Sequence, residues 1–265
     1  MRFTSDDAEI YYEVMGDGPP VVLLHAFPAN HQLCVPVADM LAARYRVILP
    51  DLRGHGDSTP GQGPATLEKH AADLARLCDA ERIGRAVFTG VSIGGYALFE
   101  FWRRHRERVA GLVFCDTKAA ADSEQARADR LKSADDVQQH GPVGFLDTMA
   151  GKLVGATTRT NRPDLAAAAR KLMSKSSVPG IVAVQQGMAA RPDSVPTLAT
   201  INVPTLVVAG EEDVTTPLAD LQAIHRGIAG SQMVVIPKAG HYAIFERSGD
   251  VGGAIRKFLD ALPPW

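Results

Sequence analysis

Short apolar runs rich in β-branched residues alternate along this chain with longer amphipathic stretches, and that rhythm restricts the fold more than any other feature. Val21-Val22-Leu23-Leu24 contains no polar position, so a strand formed there must be covered on both faces. Val47-Ile48-Leu49, Ala86-Val87-Phe88-Thr89, Leu112-Val113-Phe114-Cys115, Thr205-Leu206-Val207-Val208 and Met233-Val234-Val235-Ile236 are runs of the same kind. Buried strands separated by helix-length segments predict βαβ units, and hence an α/β fold with a mostly parallel central sheet flanked by helices. A further strand is expected ahead of them at Ile10 to Met15, closed by the turn-prone Gly16-Asp17-Gly18-Pro19-Pro20.

Thr66 is placed to cap a helix whose stripe is Leu67, Ala71, Leu74 and Leu77. Further helices are expected at Ile93 to Arg104, Leu218 to Ile228 and Val251 to Leu262. From about Lys118 to about Thr200 the alternation stops. That stretch offers only helix-favouring segments, at Ser123–Leu131, Val143–Leu153 and Leu165–Ser174, punctuated by Gly141-Pro142, Arg162-Pro163 and Pro179-Gly180. A strandless stretch of this length between core strands predicts an inserted helical lid, 118–200, over a core formed by 1–117 and 201–265. The plainer alternative is a second helical layer with no part in a site.

Charge excludes some functions. With 28 Lys+Arg against 30 Asp+Glu, the net charge of −2 gives no electrostatic reason to expect nucleic acid or an anionic membrane surface as partner. Cys34, Cys78 and Cys115 lack the paired spacing of a disulfide framework or a zinc knuckle, so buried free thiols are expected. The start, Met1 to Asp7, has no apolar signal core, and no apolar run approaches the ~18 residues of a membrane span, so a cytoplasmic location is expected.

Gly90-Val91-Ser92-Ile93-Gly94-Gly95 follows an expected strand and opens an expected helix, the context in which G-x-S-x-G presents a nucleophilic serine. A strained turn there needs small neighbours, which Gly90 and Gly94 supply. The N–H of Ile93, at the helix N-terminus, would point toward an oxyanion formed at Ser92. A phosphate-binding glycine turn is the competing reading, but a serine stands where its second glycine must be.

A serine nucleophile needs a base held by an acid, and in this strand–turn–helix setting both follow it in the chain. His140, His225 and His241 are the candidates. His140 falls in the helical stretch and His225 within an expected helix, whereas His241 lies in a loop after the last strand. For the acid, Asp213 is the choice within Gly210-Glu211-Glu212-Asp213-Val214-Thr215-Thr216-Pro217, with Glu211, Glu212 and Asp116 as alternatives. The second oxyanion donor is expected from the loop His25-Ala26-Phe27-Pro28, as the N–H of Phe27. His25 itself is expected to pack beneath that loop. Asp51-Leu52-Arg53-Gly54-His55-Gly56-Asp57-Ser58 reads as a structural loop stabilised by an Asp51–Arg53 arrangement, without metal-site spacing.

Together these segments resemble the α/β-hydrolase superfamily. Val21 to Pro28 resembles its HG oxyanion segment, with Ala26 where glycine is usual; Asp51 to Ser58 resembles its D-x-R-G-x-G-x-S loop. Gly90 to Gly95 is similar to its nucleophile elbow, with Ile93 where methionine is commoner; Gly210–Pro217 and Gly240-His241 match its acid and histidine segments. The resemblance is closest to small bacterial esterases and lactonases, including 3-oxoadipate enol-lactonases and acyl-homoserine lactone hydrolases. Dehalogenases and epoxide hydrolases of similar pattern use an aspartate where this chain has Ser92.

The resemblance implies a cofactor-free, metal-free serine hydrolase of small-molecule esters or lactones with the triad Ser92, Asp213 and His241. Two alternatives use the same framework: a cofactor-free perhydrolase of haloperoxidase type, and a slow, ligand-binding hydrolase-fold protein. Leu146, Met149, Leu153, Leu172, Met173, Val184 and Met188 in the helical stretch would make an aliphatic pocket, unless they are simply its core. The oligomeric state is left open.

Overall fold

The computed structural model describes residues 1–265, and eight strands form one sheet. They are β1 (Arg2–Ser5), β2 (Ala8–Met15), β3 (Pro20–Leu24), β4 (Arg46–Pro50), β5 (Ala86–Val91), β6 (Val109–Cys115), β7 (Thr205–Gly210) and β8 (Gln232–Ile236). Their order is β1-β2-β4-β3-β5-β6-β7-β8. β1 and β2 pair antiparallel, as do β2 and β4, and the remaining pairs are parallel. The parallel α/β architecture read from the apolar runs is therefore present. Val21 to Leu24 and Val47 to Leu49 are fully buried, as strands covered on both faces must be. β2 instead alternates buried and exposed positions, in keeping with its place near the sheet edge. β1, with only Phe3 as a large apolar residue, was not expected.

Around the sheet lie α1 (Val35–Leu41), α2 (Leu67–Ala80), α3 (Ile93–His105), α4 (Glu124–His140), α5 (Val143–Leu153), α6 (Ala156–Asn161), α7 (Pro163–Leu172), α8 (Val178–Ala189), α9 (Val195–Leu198), α10 (Leu218–Gly227), α11 (Ala243–Glu246) and α12 (Ser248–Asp260). Thr66 caps α2 by accepting from the Lys69 N–H, and the stripe Leu67, Ala71, Leu74 and Leu77 is buried. α4 to α9 occupy the stretch between β6 and β7, which contains no strand. α4 runs nine residues past its expected end at Leu131, to His140. The polar stretch Lys132 to Gln139 shows almost no apolar periodicity to carry the expectation further.

The sheet changes winding direction between β3 and β5: β4 lies on one side of β3, and the chain then crosses to the other. The carboxyl ends of strands at such a switch point open a crevice, and Ser92 and the His25–Pro28 loop both emerge there. The helical stretch is tied over this end of the sheet. The Tyr242 N–H donates to Leu153 O (3.1 Å), the Gly155 N–H to Glu246 Oε2 (2.9 Å) and the Ser176 hydroxyl to Pro28 O (2.6 Å). No helix is long and apolar enough to cross a membrane.

The Asp51–Ser58 loop is held by charge, but not by an Asp51–Arg53 pair. Asp51 accepts from the His31 N–H and ring Nδ1, both at 2.7 Å, and from the Asp57 N–H at 2.8 Å. Arg53 forks onto Asp73 of α2 (2.9 and 2.7 Å) and reaches Asp7 (2.5 Å). Asp51 ties the turn's own backbone at Asp57 to His31, while the long guanidinium stem of Arg53 bridges to α2 and to the turn between β1 and β2. A Cβ on Gly56 would lie 2.2 Å from Asp51 Oδ2, which is why the turn needs glycine there.

Candidate active site

Ser92 joins β5 to α3 with φ 53° and ψ −113°, a left-handed conformation that a non-glycine residue adopts only under constraint. The Ser92 N–H donates to Cys115 O at 3.0 Å, and its carbonyl accepts from the Thr117 hydroxyl at 2.7 Å, so β6 and its following turn hold the serine from below. The glycines make the turn sterically possible. A Cβ on Gly90 would fall 2.5 Å from the Gly94 carbonyl carbon, and one on Gly94 would fall 2.8 Å from Leu24 Cβ. Ile93 begins α3, where first-turn N–H groups have no acceptor within the helix.

His241 and Asp213 come from the loops after β8 and β7, and both side chains are buried. His241 Nδ1 lies 2.8 Å from Asp213 Oδ2. Asp213 also accepts from the Thr216 hydroxyl (2.5 Å) and from the N–H groups of Thr215 (2.8 Å) and Thr216 (3.1 Å). Burial alone would raise the Asp213 carboxyl, but the His241 ring and these hydrogen bonds outweigh it and hold its pKa below the usual value. The two loops touch because they meet at glycines: a Cβ on Gly210 would stand 2.3 Å from Gly240 O.

The alternatives are placed elsewhere. Glu211 accepts from the Lys238 N–H, and Glu212 is engaged by Thr157 of α6. Asp116 accepts from the Gly210 N–H at 2.6 Å and makes no hydrogen bond to His241; burial first, and then the Asp213 charge, push its pKa well above the usual carboxylate range. His140 pairs with Asp136 in the open, and His225 with Ser231. His25 is sealed under its loop, its Nε2 accepting from the Leu52 N–H at 2.9 Å.

Ser92, His241 and Phe27 line one cavity of about 50 Å³, together with Tyr96, Arg130, Met149, Leu153, Met188 and Thr215. Three of the seven aliphatic residues singled out in the helical stretch thus face it. Leu146, Met173 and Val184 pack into the core, and Leu172 borders a separate groove beside His31. Sequence reasoning missed four neighbours of the site. Tyr96 was accessible to it, four residues beyond Ser92 on the same helix face. Thr215 and Thr216 were in plain view in the acid segment without any sign of their role. Arg130 carried no signal, since a charged residue in a polar helix ordinarily faces water. No group of three or more His, Cys, Asp and Glu side chains is gathered so as to hold a metal ion.

A family model described as the alpha/beta hydrolase fold matches residues 19–248 of this chain. The chain belongs to the α/β-hydrolase family. Among solved structures similar to this α/β-hydrolase, a thermophilic esterase from Thermogutta terrifontis with malate bound is 38% identical, with a TM-score of 0.95 over 98% of this chain and 97% of that one. The enol-lactonase from Burkholderia xenovorans is 26% identical, with a TM-score of 0.91 over 98% of this chain and 100% of that one. Among curated relatives, the pimeloyl-acyl-carrier-protein methyl ester esterase of Xanthomonas campestris is 27% identical over 96% of this chain and 100% of its own length.

Proposed function

We propose that this α/β-hydrolase cleaves small carboxylic esters or lactones through a covalent acyl-enzyme on Ser92. The observation that carries the reading is the buried His241–Asp213 pair at 2.8 Å sharing a cavity with a serine held at positive φ. The esterase and lactonase names of the similar proteins support the same reaction class.

With Nδ1 bonded to Asp213, the other ring nitrogen of His241 is the base that takes the Ser92 proton as the hydroxyl attacks the carbonyl. The N–H groups of Phe27 and Ile93 stabilise the resulting oxyanion. His241 then returns the proton to the leaving alcohol, and water releases the acid by the same sequence. Asp213, ionised and fixed by Thr215 and Thr216, orients the ring and offsets its transient charge. No cofactor takes part. Residues 118–200 act as the lid that shapes the acyl pocket over the core formed by 1–117 and 201–265.

The test is burst kinetics with p-nitrophenyl butyrate, paired with labelling by an organophosphonate. Wild-type protein should show a burst of one acyl group per chain and a phosphonylated Ser92. Ser92→Ala should lose both while keeping its unfolding transition. A fully active Ser92→Ala variant, or an unlabelled serine in folded wild-type protein, overturns the assignment.

A further inference from the structure

The cavity that holds Ser92 is mostly apolar, yet a guanidinium opens into it. Arg130, on α4, lines it together with Met149, Leu153 and Met188 of the same helical stretch. Its Nε donates to Asp122 Oδ2 (2.5 Å), and its Nη1 to Gln185 Oε1 (3.1 Å) and to Met188 Sδ (3.5 Å). None of these partners takes up Nη2.

Asp122 is not Arg130's alone. Its fully buried carboxylate also meets Arg191 Nη2 at 2.9 Å and Lys118 Nζ at 3.2 Å. One carboxylate is thus shared among three cations, of which Arg130 is the one that lines the cavity. Tyr96 borders the same wall: the Arg191 guanidinium lies 4.3 Å from the centre of its ring, and its hydroxyl bonds no protein group.

An apolar acyl chain entering this space would strip water from the guanidinium edge and offer nothing in return. A carboxylate matches both the fork geometry of the guanidinium and a phenol donor. We propose that Arg130 and Tyr96 form a carboxylate-binding subsite in the Ser92 cavity, and that the preferred substrates are short esters or lactones bearing a free carboxylate. This rests on the hydrolase reading above, and it names the substrate class for that same site. A cavity of about 50 Å³ holds only a few water-sized groups, so the linker between ester carbonyl and carboxylate must be short.

The experiment compares kcat/KM for matched pairs: monoethyl succinate against ethyl butyrate, and 3-acetoxypropanoate against propyl acetate. In the wild type at least one anionic ester should exceed its neutral partner by roughly 10- to 100-fold, the worth of a charge-assisted hydrogen bond. Arg130→Met should bring that ratio close to one, acting through KM rather than kcat. Arg130→Lys should keep part of it, and Tyr96→Phe should lower it. If Arg130→Met does not fold, the Lys and Phe variants carry the comparison.

Calorimetry of succinate binding to Ser92→Ala protein, with and without the Arg130 substitution, gives a readout that needs no turnover. Ratios near one for both pairs in an active wild type, or succinate binding indifferent to Arg130, overturn the subsite and leave the hydrolase intact. Absence of Ser92 acylation overturns the hydrolase, while the calorimetry still decides whether Arg130 holds a carboxylate.

Discussion

Asp116 and Asp213 follow neighbouring parallel strands, yet their surroundings shift the two carboxyl groups in opposite directions. Asp213 gathers a histidine, a hydroxyl and two N–H groups, and its pKa is lowered below the usual value. Asp116 is fully buried, with one N–H on Oδ1, nothing on Oδ2 and Asp213's negative charge nearby, so its pKa is pushed well above the usual carboxylate range. Asn is nearly isosteric with a protonated Asp and can still accept from Gly210. Asp116→Asn is therefore expected to cost less than about 1–2 kcal/mol of stability and less than about tenfold in kcat/KM. Asp213→Asn should cost about 10²–10⁴-fold, because the ring loses both its orientation and its counter-charge. The kcat/KM of the two variants on p-nitrophenyl butyrate checks this, and equal losses would transfer the acid role to Asp116.

The turn from β5 into α3 stores strain at Ser92, of the order of 1–3 kcal/mol for a non-glycine residue at positive φ. It persists because backbone packs directly on backbone around it. Gly90→Ala would place a methyl 2.5 Å from the Gly94 carbonyl carbon and 2.6 Å from the Gly95 nitrogen, neither of which can rotate away. A loss of at least ~1–3 kcal/mol and of phosphonate labelling is expected. Gly151, in α5, is the contrasting case: a Cβ there meets nothing within 4 Å and its φ is ordinary. Gly151→Ala should raise stability by about 0.5–1 kcal/mol through helix propensity and reduced freedom of the unfolded chain. Urea midpoints of the two variants should move in opposite directions from the wild type.

Three of the five buried histidines, His25, His55 and His70, are held uncharged by burial, and His70 has no hydrogen-bond partner on either ring nitrogen. Burial lowers His25 to about 4 and His70 to about 3, and holds His55 well below its ordinary value of 6.5. The unfolded chain therefore binds protons near pH 6.5 that the native protein refuses. Stability is complete above that pH and falls as pH drops toward 4, by up to about 1.4 kcal/mol per pH unit for each ring. His31 works the other way: burial lowers it, but Asp51 raises it further, so the native state holds its proton more tightly. The net effect is destabilisation by acid. Urea unfolding at pH 7, 6 and 5 should show a declining midpoint, and His70→Leu should flatten the slope by one proton's worth. A midpoint constant to pH 5 contradicts this account.

What could be read without coordinates was whatever depends on near neighbours in the chain. Val21 to Leu24 announces a doubly covered strand because four consecutive apolar side chains leave no face for water. The glycine spacing around Ser92 announces a tight turn because only missing side chains permit it. Chain order and a plausible distance from Ser92 then reduced eight histidines to three, and a loop position favoured His241. Folding was needed wherever the partner is remote in sequence. Glu211, Glu212 and Asp213 are adjacent carboxylates with the same local chemistry, and only the approach of Gly240 to Gly210 brings His241 against one of them. Arg53 was expected to meet Asp51 and instead reaches α2, 20 residues on. Arg130 shows the same limit most clearly. It is one cation in a polar helix until α8 and the Asp122 turn close around it, and long-range packing, which leaves no periodic trace in sequence, turns it toward Ser92.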